Sequence, residues 1–289
     1  MTGKPLIATI FVLLPACFAA EGPLLVTYTH QMEEPGNLEI TTKNVTAKPG
    51  EGNRFFATAT EFEYGVKGWW TTSVYLDGQV TRGESTTFTG YRWENRFRLL
   101  PREHWINPVL YLEFANLNGA DKSLLEIVAT DGDEDLAEPV HETRREKKRE
   151  LEAKLILGSH VKNWTLAGNF IVEKNVKHEP YEFGYAAGVS RPLGLAARPE
   201  TCNLCPENFQ VGVEAYGGLG THASFTGRGA AHYIAPVASW TLANGATFKV
   251  SPGFGVTGIS TGLVLRAGLS YEIAQFGRSV RNLFTRGAR

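Results

Sequence analysis

The residues YRWENRFRL, from Tyr91 to Leu99, place Arg92, Glu94, Arg96 and Arg98 at two-residue spacing. Successive side chains of an extended strand point to opposite faces, so these four ionisable groups share one face while Tyr91, Trp93, Phe97 and Leu99 share the other. Such a row can line an aqueous lumen and favour anions. It can also be a charge ladder, paired across to Glu63 or Glu113, that fills and stabilises an interior. By the same alternation Glu214, Arg266 and Glu272 join the lumen-lining candidates.

Patterns associated with catalysis are present without their usual setting. Gly258-Ile259-Ser260-Thr261-Gly262 has the spacing of a nucleophile elbow, and Gly253-Phe254-Gly255-Val256-Thr257-Gly258 that of a dinucleotide fingerprint. Both chemistries need a helix directly after the turn, and no helical periodicity follows either one. His160, His222 and His232 are the bases to weigh against Ser159, Ser224 or Ser239, but spacing alone pairs none of them. Near the start, His30, Met32, Glu33 and Glu34 precede a Pro35-Gly36 turn; this mixture of soft and hard ligands reads as a polar segment, not a metal site. Cys202 and Cys205 lie in the proline-bearing stretch ARPETCNLCPEN and are expected to form a disulfide in an exported chain. No catalytic residue, metal site or cofactor is expected.

The elements that must carry these residues are strands. FFATATEFEY, from Phe55, opens a series of alternating segments. Leu151, Ala153, Leu155 and Leu157 oppose Glu152 and Lys154, with the pattern weakening at Ile156. Val211, Val213 and Ala215 oppose Gly212 and Glu214; Leu263, Leu265, Ala267, Leu269, Tyr271 and Ile273 oppose Gly262, Arg266, Gly268, Ser270 and Glu272. Asp77-Gly78 and Asn244-Gly245 are dipeptides that tight hairpins prefer. Longer connections are expected at residues 116–121, 132–148 and 192–208, and the basic-acidic run from His141 to Lys154 as a solvated loop or strand extension.

A net charge of -1 with 20% charged residues excludes a global field for nucleic acid, and 31 glycines with 32 aromatics against 2 methionines favour glycine-punctuated strands. The opening MTGKPLIATIFVLLPACFAAEG has Lys4, an apolar run of about ten residues where a helical span needs roughly twenty, and small residues at Ala16, Ala19 and Ala20. It reads as a cleaved export signal over residues 1–20, with lipidation at Cys17 as the second reading. Export, segment lengths near the roughly nine to eleven residues of a tilted spanning strand, and tryptophans near segment ends turn the apolar faces outward to lipid.

With these residues in place the chain resembles the outer-membrane β-barrel proteins of Gram-negative bacteria, from about Leu24 to Phe276. GLVLRAGLSYEIAQF looks like that class's C-terminal assembly signal, although the chain continues through GRSVRNLFTRGAR. The resemblance implies an all-β, antiparallel transmembrane barrel over residues 21–276, a basic tail over 277–289, and outer-membrane lipids and the barrel-assembly machinery as partners. At roughly twenty-two residues per strand and connection, about twelve strands are expected, within a range of about ten to fourteen. The functional expectation is a non-enzymatic narrow channel or transporter for small polar solutes; the alternatives are an outer-membrane lipid-modifying enzyme and a structural or adhesive barrel.

Overall fold

A computed structural model describes residues 22–122, 128, 132–177, 180–194 and 203–286. The expected signal over residues 1–20 and Cys202 lie outside the described residues, and Cys205 is disulfide-bonded.

Twelve antiparallel strands close into a barrel: β1 (Leu38–Ala47), β2 (Phe55–Lys67), β3 (Trp70–Thr81), β4 (Ser85–Arg98), β5 (Asn107–Asn118), β6 (Lys147–Val161), β7 (Trp164–Asn175), β8 (Glu182–Pro192), β9 (Phe209–Thr221), β11 (His232–Thr241), β12 (Thr247–Gly255) and β13 (Leu263–Ile273). The two-residue β10 (Ser224–Phe225) only folds back on β9. Each wall strand pairs with its neighbours in sequence, and β1 pairs with β13, from Leu38 against Ile273 to Ala47 against Val264. Closure leaves no sheet edge, which is what allows strands to cross a hydrocarbon layer.

The alternation fixes which face is which. Trp93 is 53% exposed on the outside while its neighbour Arg92 is 4% exposed inside. Leu151, Leu155 and Leu157 on β6, Val211 and Val213 on β9, and Leu263, Leu265, Leu269 and Tyr271 on β13 are likewise exposed outward. Burying the exterior in lipid satisfies it; the reverse orientation would put arginines in hydrocarbon at roughly 2–4 kcal/mol each. Five tryptophans, Trp69, Trp70, Trp105, Trp164 and Trp240, ring the end where β1 begins and β13 stops, and Phe56, Phe88, Phe183, Phe225 and Phe254 lie towards the other. These are the two interfacial belts of a spanning wall.

Two local expectations are corrected and one is met. Asp77-Gly78 is no hairpin: both lie inside β3, with a bulge between them, because the Asp77 carboxylate is drawn inward to Arg92. The charged run from His141 is, for the most part, the strand extension expected, since β6 begins at Lys147. Phe276 does not end the last strand. The backbone turns at Gln275 (φ 54°), whose N–H donates to Asn37 Oδ1 at 2.8 Å, and Phe276 opens helix α3 (Phe276–Arg286). Asn244-Gly245 does form a turn between β11 and β12, with Gly245 at φ 90°.

Candidate functional site

The lumen is occupied from both ends. From the tryptophan-ringed end, residues 22–37 enter ahead of β1 as a plug; from the other, the described part of the β5–β6 connection, residues 119–122, 128 and 132–146, folds over the mouth as a cap.

The wall grips the plug by its backbone. Glu214, 1% exposed on the inward face of β9, accepts hydrogen bonds from the N–H groups of Leu25, Val26 and Thr27 at 3.1, 2.9 and 2.6 Å. Asn169 on β7 takes both sides of the next residue, accepting from Tyr28 N–H at 2.7 Å and donating to its carbonyl at 2.8 Å. Plug N–H and C=O groups that would otherwise be buried without partners are thereby satisfied. Gly188 supplies the room for Leu24: a Cβ there would come within 2.7 Å of the leucine side chain.

Beneath the plug, inward residues of β1 to β6 form an ionic ladder. Arg92 donates to both oxygens of Asp77 at 3.0 Å and to Glu113 Oε2 at 3.1 Å. Arg96 meets Glu63 and, at 3.0 Å, Glu94. Lys43 pairs with Glu61 at 2.8 Å and Lys154 with Glu152 at 2.9 Å. Three tyrosines knit the pairs together: Tyr75 donates to Glu61 at 2.5 Å or to Glu94 at 2.6 Å, Tyr111 donates to Glu113 at 2.8 Å, and Tyr28 of the plug donates to Glu94 at 3.1 Å. The Arg92 guanidinium also lies 4.0 Å from the Tyr75 ring centroid. In a water-poor interior each of these charges is tolerable only with its partners in place.

The cap has a different footing. Its helices α1 (Asp133–Ala137) and α2 (Val140–Thr143) carry Leu136 into an apolar cluster with Val45, Phe55, Tyr216, Tyr233 and Val264. Asp133 accepts from Gly50 N–H and Thr261 Oγ1, each at 2.6 Å, and Glu84 accepts from Val140 N–H at 2.6 Å. Desolvation opposes ionisation of Glu84, but hydrogen bonds from Asn53 and Val140 outweigh it and hold the carboxyl below its usual pKa. Between plug and cap lies a cavity of about 90 Å³ lined by Val26, Tyr28, Val128, Lys154 and Arg266, among others, which is space for several waters.

All seven candidates for lumen lining point inward, but they do not line an open passage. Arg92, Glu94 and Arg96 are in the ladder; Glu214 holds the plug; Glu272 accepts from Asn37 at the rim; Arg98 lies near His30 of the plug. Arg266 faces the cavity, and its Nε and Nη2 have no hydrogen-bond partner among the described residues. The serine–histidine pairings do not form. The His160 ring is bonded to Thr165, His222 to the Tyr181 N–H, and His232 to Tyr185 and the Gly227 carbonyl; Ser260 bonds the main chain of His232 and the Thr257 hydroxyl. The fingerprint glycines Gly253 and Gly255 belong to β12, with no helix after them before β13. Sequence reasoning missed Tyr28, Tyr75, Tyr111 and Asn169; the trace of Tyr75 and Tyr111 is a polar-tipped aromatic two residues before an inward acid, Asp77 or Glu113, and Tyr28, in a segment without periodicity, leaves none.

No family model matches the sequence, and no curated protein matches it. Among solved structures, the KdgM porin in complex with disordered oligogalacturonate is 7% identical, with a TM-score of 0.48 over 81% of this chain and 98% of that one. The NanC porin is 8% identical (TM-score 0.47; 81% and 97% covered), and an outer membrane channel from Pseudomonas putida F1 is 10% identical (TM-score 0.44; 84% and 96%). The orientation of the side chains, not this likeness, identifies the wall as membrane-facing.

Proposed function

We propose that this chain, a Gram-negative outer-membrane β-barrel by its closed antiparallel wall and lipid-facing exterior, is a gated narrow channel for small polar solutes, non-enzymatic and closed in the described state. The observation that carries the reading is the mode of plug attachment. The stretch Leu25–Tyr28 is fixed through its own backbone N–H and C=O groups, bonds that water can replace, which the burial of Leu136 in the cap is not. Behind the plug lies an interior rich in charged side chains, suited to polar traffic. Arg266, facing the central cavity with guanidinium donors unclaimed, biases that interior toward anions.

Planar-bilayer recording tests the proposal. The full chain should be silent or flicker, a variant lacking residues 22–34 should conduct, and one also lacking 121–143 should conduct more. In the conducting variants Arg266→Ala should shift the reversal potential toward cations. If neither deletion variant conducts while both still assemble, the channel reading fails. The structural alternative then stands, favoured by the pairing of Arg92 with Asp77 and Glu113 and of Arg96 with Glu63 and Glu94.

A further inference from the structure

The plug meets the rim at a cluster the channel reading does not use. His30 of the plug, Glu103 of the β4–β5 connection and His160 near the end of β6 converge from three separate stretches of chain, with one ligand atom from each lying within 4.8 Å of the others. His30 is 4% exposed, and its Nε2 is 3.1 Å from Glu103 Oε1. Its ring stands edge-on to that of His160, centroids 4.9 Å apart. The ring sits where only glycine leaves space, because a Cβ on Gly158 would collide with it.

We propose that His30, Glu103 and His160 bind a divalent transition-metal ion, zinc or a similar borderline cation, and that the ion clips the plug to the barrel rim. Two imidazoles and one carboxylate are a recurrent donor set for such metals, leaving a further position for water. Ligand atoms around a tetrahedral zinc ion with bonds of about 2.1 Å are roughly 3.4 Å apart. The exposed Glu103 and His160 side chains can close that difference by rotation about their own bonds, while the buried His30 stays fixed. When Thr165 Oγ1, 3.0 Å from His160 Nδ1, accepts from that nitrogen, the ring's lone pair is on Nε2 and available to a metal. A soft-ligand site is not implied, since Met32 packs instead against Val109, Tyr111 and Ile156.

Titration of the purified, folded full chain with Co²⁺ and Zn²⁺ tests this. Binding of one ion per chain is expected, with a Co²⁺ d–d absorption band that Zn²⁺ displaces and an affinity lowered more than about tenfold by His160→Ala and by Glu103→Gln. Both residues are exposed at the rim, so these variants keep the fold. Zn²⁺ should also slow amide exchange across residues 23–33 in the full chain and not in the variants. Absence of binding at millimolar metal, or binding that survives both substitutions, overturns the site; binding without slower exchange overturns the clip. Neither readout depends on whether the barrel conducts.

Discussion

The plug and the cap close the same lumen with different balances of contact. The cap inserts side chains into its surroundings: Leu136 enters an apolar cluster, and Asp133 bridges the β1–β2 and β12–β13 connections. The plug also packs side chains, Leu24, Val26 and Met32 among them, but adds a grip the wall supplies: Glu214 and Asn169 seize the main chain of Leu25 to Tyr28. The side-chain contacts of either insert are specified by its own residues. The main-chain grip is specified by the wall, and its bonds are ones that water can replace.

The largest effect that would sharpen this contrast is at Leu136. Leu136→Asp buries a charge where a leucine was and should weaken the cap by about 4 kcal/mol, read as faster amide exchange in residues 132–143 with the wall unaffected. Glu214→Ala should cost the plug about 3 kcal/mol, because three N–H groups lose a charged acceptor together; exchange of the Leu25, Val26 and Thr27 amides reports it. Asn169→Ala should cost about 1–2 kcal/mol at Tyr28 by the same measurement. Thr27→Ala, a change in the plug itself, should stay below about 0.5 kcal/mol. If Thr27→Ala loosened the plug as much as Glu214→Ala, the contrast would collapse. The smallest effect concerns acid. Glu84 has a folded pKa below its unfolded one, so its contribution to the cap is full above the ordinary carboxylate range and is lost as pH falls through the depressed value. A spin label on α2 should therefore gain mobility in acid, and Glu84→Gln should remove that dependence.

The wall was legible in the sequence where one face is uniformly charged and the other uniformly apolar, as in β4 and β13, because the two-residue period admits a single register once lipid takes one side. It was blurred where interior and exterior share a polarity: Ile156 faces inward yet is apolar, since it packs with Val109 and Tyr111 under the plug. Asp77-Gly78 misled because turn chemistry and a buried carboxylate beside a bulge use the same residues. The inserts were not legible. THQMEEPGN has no periodicity because it is not a strand, and its contacts, such as His30 with Glu103 and Met32 with Val109, follow no repeat. The seven lumen candidates followed from alternation alone, but their partners lie on other strands, and pairings such as Arg96 with Glu63 depend on a register that only the closed ring fixes.

The joint between β1 and β13 brings together residues from opposite extremes of the wall, Leu38 with Ile273. Until the last hairpin is delivered, both borders of the growing sheet hold rows of unmet amides in a medium that offers them nothing. Trimming the chain within residues 263–273 should not yield a slightly weaker vessel. It should yield an unsealed ribbon, and survival in the bilayer should fall as a step, not a slope.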